Sequence, residues 1–506
     1  MLSRNKYMVL KSKTTSEKPA AGGDVDARVA PVSAGYGNNG NGGKPASAIP
    51  EETRRSKNTS VLDQVKWEEV YPEAESILRK LIRFQTVNPP GNERPAARYL
   101  ADLLRQDGLE PELFEAAPAR TNLICRLKGT GEKPPLQLDG HLDVVSADED
   151  YWAHPPFAAD VADGYIWGRG ALDMKQMVTM SLMCLLLFKR MGARFKRDII
   201  YTAVADEEMG GAYGAKHLVD NHADRIRAEY CLGEIGGFSI NTMKRTFYPV
   251  QVAEKGLCWF ELIARGNAGH GAIPEPEAPL IRLSEAILKL SRKGLPQHNT
   301  AVVEQAISTL SANQSFPNNL LPGLLLHSWL SNLLLNKVIP DKDIAATFSS
   351  MLHNTVNPTV IHAGDKTNIV PSVARVEVDG RILPGQTRES FLAEVKDLVG
   401  PDFEINVLAE LKPTTADPND PIIGLMSQVL RRHDPSAVVI PTMIPATTNA
   451  THYSRLGTKY FGFSPMKSNN GDSFKAMFHG HNERISVDGF RFGVRVLAEL
   501  VEKICA

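Results

Sequence analysis

The chain has 506 residues, 42% of them hydrophobic and 23% charged, a globular composition far from the disordered or fibrous ranges, and its length suggests two or three domains. Lys and Arg total 57 against 58 Asp and Glu. A net charge of -1 offers no general attraction to nucleic acid or an anionic membrane, so the expected partner is a small molecule.

Residues 1–60 are rich in Gly, Ser, Asn, Ala and Lys and poor in large apolar side chains, which predicts a disordered tail. A transit peptide is the alternative, because Arg4, Lys6, Lys11 and Lys13 precede the first acid. No apolar run of 18 residues or more and no compact apolar leader is present, so the chain reads as cytoplasmic without a membrane span. Cys125, Cys184, Cys231, Cys258 and Cys505 are scattered, odd in number and free of C-x-x-C spacing, which argues against a disulfide framework. Cys184, in an apolar run, reads as a buried inert thiol.

Periodicity predicts a helix over 73–84, a break at Thr86-Val-Asn-Pro-Pro-Gly91, and a second helix over about 93–106. Strand-like runs follow at 112–114, 122–127 and 136–138. A long apolar helix over about 174–191, a strand over 198–205, a helix near 215–221 and a strand-like 229–232 continue the alternation of an α/β sheet. After Glu254-Lys-Gly256 a new set begins: strand 259–265, helix 280–290, strand 373–382, helix 388–398 and strand 403–408. It reads as an inserted β-α-β-β-α-β unit. Within it, the Leu-rich stretch 320–335 is too interrupted by Pro322, His327 and Asn332 to span a membrane, and is expected as a helical cap that packs as core or walls an apolar substrate.

Chemistry-bearing residues sit at the ends of the predicted strands. His141 and Asp143 leave an apolar strand on the same face, and a carboxylate beside a ligating imidazole can orient it. Asp173 ends Gly168-Arg-Gly-Ala-Leu-Asp-Met-Lys175 where the long helix begins, either as a ligand or as an N-cap. Asp206-Glu-Glu208 ends a buried strand, and three adjacent carboxylates there call for a cation. Glu234 ends the next strand, and His479 and His481 lie near the C-terminus. Two His and three carboxylates suit two divalent ions.

With these motifs in order, the chain resembles the aminoacylase and carboxypeptidase branch of the co-catalytic dizinc peptidases (peptidase family M20), which includes succinyl-diaminopimelate desuccinylase and glutamate carboxypeptidase. The likeness covers about residue 65 to the end, through His-x-Asp, Gly-Arg-Gly-x-x-Asp-x-Lys, Asp-Glu-Glu-x-Gly-Gly, a later strand-end acid and His-x-x-x-Glu. It implies an α/β phosphorylase/hydrolase-like catalytic domain with a central mixed sheet over 61–254 and 412–506. A ferredoxin-like α+β lid and dimerisation domain is implied at 255–411, with a helical extension at about 300–355.

By the same resemblance two Zn2+ ions, replaceable by Co2+ or Mn2+, bind His141 with Glu234 and Glu208 with His479, bridged by Asp173. Glu207 is implied as general base, Asp143 as the residue orienting His141, and His479 is preferred to His481 because it stands four residues before Glu483. Gly269-His-Gly-Ala-Ile-Pro274 resembles the segment whose histidine polarises the scissile carbonyl, often across a homodimer, which gives His270. Thr367-Asn-Ile-Val-Pro371 and Asp379-Gly-Arg-Ile-Leu-Pro-Gly385 resemble the substrate-holding segments, giving Asn368 and Arg381. Details of these segments look most like the carboxypeptidase S and N-acyl amino acid hydrolase subgroup.

The implied reaction is cleavage of an amide beside a free carboxylate, in an N-acyl amino acid or a short peptide, by metal-activated water. A desuccinylase or deacetylase of amino acid biosynthesis and a non-catalytic binding protein on the same fold are the alternatives. Many relatives carry Gly-Thr-Asp where this chain has Thr447-Thr-Asn-Ala-Thr451, so contacts near the substrate carboxylate are expected to differ.

Overall fold

Leu136–His141 and Ile199–Val204 are buried at every position rather than at alternate ones. A strand that is dry on both faces needs cover on both, which is the condition of parallel strands inside an α/β layer. These two pair in parallel, and Tyr230–Gly233 joins Leu136–His141 in parallel on its other side. The computed structural model describes residues 60–241, 245–315, 318–339, 342–469 and 477–506; the tail expected over 1–60 lies outside the described residues except for Ser60.

The large sheet contains β1 (Glu112–Ala117), β2 (Arg120–Leu127), β3 (Leu136–His141), β4 (Ile199–Val204), β5 (Tyr230–Gly233), β6 (Thr246–Glu254) and two late strands at Ala437–Ile444 and Lys459–Gly462. Its order is β1-β2-β4-β3-β5, then Lys459–Gly462, then β6, with Ala437–Ile444 parallel to β6. Antiparallel β1/β2 and β2/β4 pairs beside the parallel core make the sheet mixed. Helix α1 (Lys175–Arg190) is buried continuously from Lys175 to Phe188, and each of its Leu and Met side chains contributes roughly 1.5–3 kcal/mol of burial. It lies close on β3 because Gly140 has no side chain: a Cβ there would stand 2.7 Å from Val178 Cγ2. All five cysteines are free and buried.

Between Gly256 and Leu411 a second sheet of four strands forms, with Gly256–Arg265 at its centre beside Val373–Ile382, and Thr355–Ala363 and Glu404–Leu411 at its edges. All its pairs are antiparallel. The helices Pro279–Lys293 and Arg388–Val399 supply Leu283, Ala286, Leu290, Phe391 and Val395 to a separate core with Phe260, Leu262 and Val376. In chain order this is β-α-β-β-α-β, on a mixed α/β fold as expected.

The helical segment between 301 and 352 differs from its expected place within the inserted unit. Val302, Val303, Ile307, Leu325, Leu334, Leu335 and Leu352 join the core of the large sheet, and Ala306 packs on Phe247, Val438 and Ile440. The Leu-rich stretch therefore has a buried face of its own against the large layer, while Leu320, Leu321, Trp329 and Leu333 remain exposed.

Lys255 stands at the junction of the two sheets, fully buried, and its Nζ donates to the carbonyls of Ser350 and His353 and to Thr355 Oγ1. Burial pushes its pKa down to about 7, with Arg381 adding to the effect. Between about 7 and 10.5 the unfolded chain therefore binds a proton that the folded chain does not, so this group makes stability rise with pH across that window. The difference in unfolding free energy between the wild type and Lys255→Met, measured by urea titration, should shift in favour of the wild type from pH 6 to pH 10, and a pH-independent difference would contradict this.

Candidate metal centre

Three parallel strands deliver acids and an imidazole to one edge of the large sheet. His141 is the last residue of β3, Asp206-Glu-Glu208 follows β4, and Glu234 follows β5. In open α/β sheets the crevice beyond the carboxyl ends of the strands is where ligands bind. Asp173 enters from the turn before α1, and His479 from the segment before the C-terminal helix Val487–Cys505.

Asp173 faces both imidazoles. Its Oδ1 lies 3.1 Å from His141 Nε2 and its Oδ2 3.3 Å from His479 Nε2. Glu234 Oε2 is 3.7 Å from His141 Nε2, and Glu208 Oε2 is 3.1 Å from His479 Nε2. The result is two trios, His141/Asp173/Glu234 and Asp173/Glu208/His479, with the ligand atoms of each within 4.8 Å of one another. Neighbouring ligands on a tetrahedral zinc ion stand roughly 3.3 Å apart, close to the separations found. Glu234 Oε1 is buried without a hydrogen-bond partner, a second mark of a site fitted to a cation.

The electrostatics agree with that fit. Burial and then Glu234 push the Glu207 carboxyl well above its usual range, and burial likewise raises Glu234. Burial opposes the charged form of His141, yet the surrounding carboxylates of Asp143, Asp173 and Glu234 hold its pKa well above the ordinary value. Asp173 and Glu208 raise His479 to about 10. Packed carboxylates out of water draw positive charge to themselves.

Two further carboxylates shape the loops. Glu483, fully buried, accepts from Arg169 Nη1 and from the main-chain N–H groups of Gly170, Leu172 and Asp173, which sets the turn that presents Asp173. Asp143 accepts from the main-chain N–H groups of Glu207 and Glu208 at 3.1 and 3.2 Å. His141 Nδ1 meets the Asp143 carbonyl oxygen at 2.9 Å, whereas the Asp143 carboxylate is 3.6 Å away. Asp143 thus holds the ring chiefly by its main chain and spends its side chain on the neighbouring turn.

Other sequence readings resolve differently. Asp173 is no helix cap: Met174 occupies that position, and the Asp173 carboxylate turns to the histidines. The three adjacent acids do not share one compensation, since Asp206 pairs with Arg120. His481 packs beside Tyr151. Thr448 donates to Glu254, and Asn449 Nδ2 donates to Asp139 at 3.0 Å, so the departing segment is tied into the sheet end. His270 and Asn368 share one exposed loop pair, where His270 opposes Ile369 and Gly271 N–H donates to the Asn368 carbonyl. Arg381 clasps Asp379 with two hydrogen bonds. Among the described residues no hydrogen bond or ion pair joins these three to the acidic cluster. The sequence marks neither Arg120 nor Asn88 as partners of Asp206: Asn88 lies in a segment whose prolines signal only a helix break, and Arg120 carries no local signal.

The family model described as peptidase family M20/M25/M40 matches residues 138–503. The N-fatty-acyl-amino acid synthase/hydrolase PM20D1 of Mus musculus is 28% identical over 410 residues, covering 78% of this chain and 80% of that protein. Aminoacylase-1 of Sus scrofa is 26% identical over 442 residues, covering 85% and 95%. Among solved structures, an M20 family metallo-carboxypeptidase from Sulfolobus solfataricus superimposes with a TM-score of 0.63 at 17% identity, covering 85% of this chain and 98% of that one. The chain therefore belongs to peptidase family M20/M25/M40 and is a hydrolase of amide bonds of the peptidase and aminoacylase type.

Proposed function

We propose that the chain is a dinuclear zinc hydrolase that cleaves an amide bond next to a free carboxylate, acting as an N-acyl amino acid deacylase or as a carboxypeptidase on short peptides. The observation that carries this reading is Asp173, which turns one oxygen to each of two imidazoles and so stands as the bridge between two trios. In the proposal His141 and Glu234 hold one ion, Glu208 and His479 the other. Similarity to an N-fatty-acyl-amino acid synthase/hydrolase and to an aminoacylase supports the deacylase side.

When bound, a metal pair supplies positive charge to polarise the scissile carbonyl and lowers the pKa of the attacking water. Glu207, with Oε2 3.9 Å from His141 Nε2 and its side chain mostly buried, takes the water's proton and returns it to the leaving nitrogen. His270 donates to the developing oxyanion, and Asn368 and Arg381 hold the substrate, the Arg fork grasping its carboxylate. In this reading the unit over 255–411 closes as a lid and joins a homodimer that brings His270 across. Its edge strand Thr355–Ala363 exposes Val360 and Ile361, which suits such pairing.

Metal content by plasma emission, with hydrolysis of N-acyl amino acids and dipeptides before and after chelation, tests the proposal. About two metals per chain and chelator-sensitive cleavage are expected, and the preferred substrate decides between deacylase and carboxypeptidase. Glu207→Gln should keep its metal and lose roughly 1,000-fold in turnover. Undiminished turnover in that variant would sink the general-base assignment, and a metal-free inactive protein would favour the binding-protein alternative.

A further inference from the structure

Asp206, Glu207 and Glu208 are consecutive, yet Asp206 has partners of its own. Its backbone is left-handed, with φ 69°, and its carboxylate turns away to a buried polar network. Asp206 Oδ1 accepts from Arg120 Nη2 at 2.8 Å and from Asn88 Nδ2 at 3.0 Å, and Oδ2 accepts from the Tyr213 N–H. The same Asn88 amide donates to Asp143 Oδ2 at 2.8 Å. Asp143 in turn receives the N–H groups of Glu207 and Glu208.

Arg120 lies at the far end of this chain of contacts. Its Nε donates to Glu93 Oε2 at 2.9 Å, and its Nη1 donates to the Pro90 carbonyl at 3.0 Å and to Asn88 Oδ1 at 3.3 Å. Arg120 is 6% exposed, Asn88 5%, Asp206 3%, and Glu93 and Asp143 0%. The guanidinium fits because residue 91 is glycine: a Cβ there would lie 2.4 Å from Arg120 Cζ. A planar fork whose three nitrogens all donate loses little freedom when it orders its partners.

We propose that Arg120 is a positioning residue for the hydrolytic step, fixing through Asp206, Asn88 and Asp143 the turn that aims the Glu207 carboxylate. This rests on the reading of Glu207 as general base. A proton acceptor displaced by about 1 Å loses roughly 100-fold in rate, so a residue that touches no reacting atom can still set kcat. Were Arg120 there only to neutralise buried Glu93 and Asp206, its loss would lower stability and leave the turnover of folded enzyme alone.

The test uses full-length, zinc-loaded Arg120→Ala, Arg120→Lys and Asn88→Ala, with the N-acyl amino acid or dipeptide that the wild type turns over fastest. In Arg120→Ala, kcat should fall about 100-fold while KM stays within about 3-fold, the signature of a lost transition-state interaction. Guanidinium ion added in the low millimolar range should restore part of that kcat in Arg120→Ala and do nothing for the wild type. Arg120→Lys should stay low, because an ammonium cannot reproduce the fork. Wild-type kcat in a folded Arg120→Ala overturns the proposal, as does a loss that guanidinium leaves untouched. If Arg120→Ala does not fold, Asn88→Ala decides, since it cuts the link to Asp143 without stranding a charge: a comparable fall in kcat supports the proposal and wild-type kcat overturns it. Glu207→Gln is assayed in parallel, and full turnover there condemns the general-base reading rather than the role of Arg120.

Discussion

Asp173, Glu207, Glu208 and Glu234, largely buried, meet two imidazoles beyond the carboxyl ends of the parallel strands of a mixed sheet, and the rest of the structure is arranged around that crowding. Like charges out of water repel strongly, and hydration cannot offset the repulsion in a buried crevice. The chain answers with two imidazoles, whose proton affinity the acids raise, and with a geometry spaced for divalent ions. The parallel strands matter because they bring His141, the acids after β4 and Glu234 to one edge although these lie far apart in sequence.

Around that centre, further carboxylates serve as anchors. Glu483 gathers three amides of one turn and Arg169, and Asp143 gathers the amides of Glu207 and Glu208. Each fixes backbone rather than side chain, so the acids they present cannot drift without breaking charge-assisted hydrogen bonds. Arg169 then neutralises Glu483 from behind, and Arg120 neutralises Asp206 and Glu93 in the network that leads to Asp143. The site is thereby organised in layers, with the clustered acids and imidazoles inside, main-chain turns next, and two arginines outermost.

Much of this was legible in the sequence where local signals coincide. The strands 373–382 and 199–204 and the helix 175–190 announced themselves through apolar runs of the right length, and each cluster residue stood just beyond such a run beside glycine or at a helix start. Partners set by long-range pairing were not legible. Arg120 meets Asp206 across 86 positions, and nothing near Arg120 distinguishes it from a surface base. The strand Ala437–Ile444 and its pairing with β6 were likewise invisible, because register between distant strands leaves no local period. Adjacency in the chain places the extension after residue 300 with the unit over 255–411, whereas its apolar face packs on the large core.

In the proposed function one carboxylate, Asp173, joins two metal sites. Calorimetric titration of zinc into the metal-free wild type and into Asp173→Ala tests it directly. About two ions should bind per wild-type chain, and the variant should lose at least one ion and hold the other more weakly, as follows when a shared ligand is removed. Two ions bound by Asp173→Ala with unchanged affinity would contradict it.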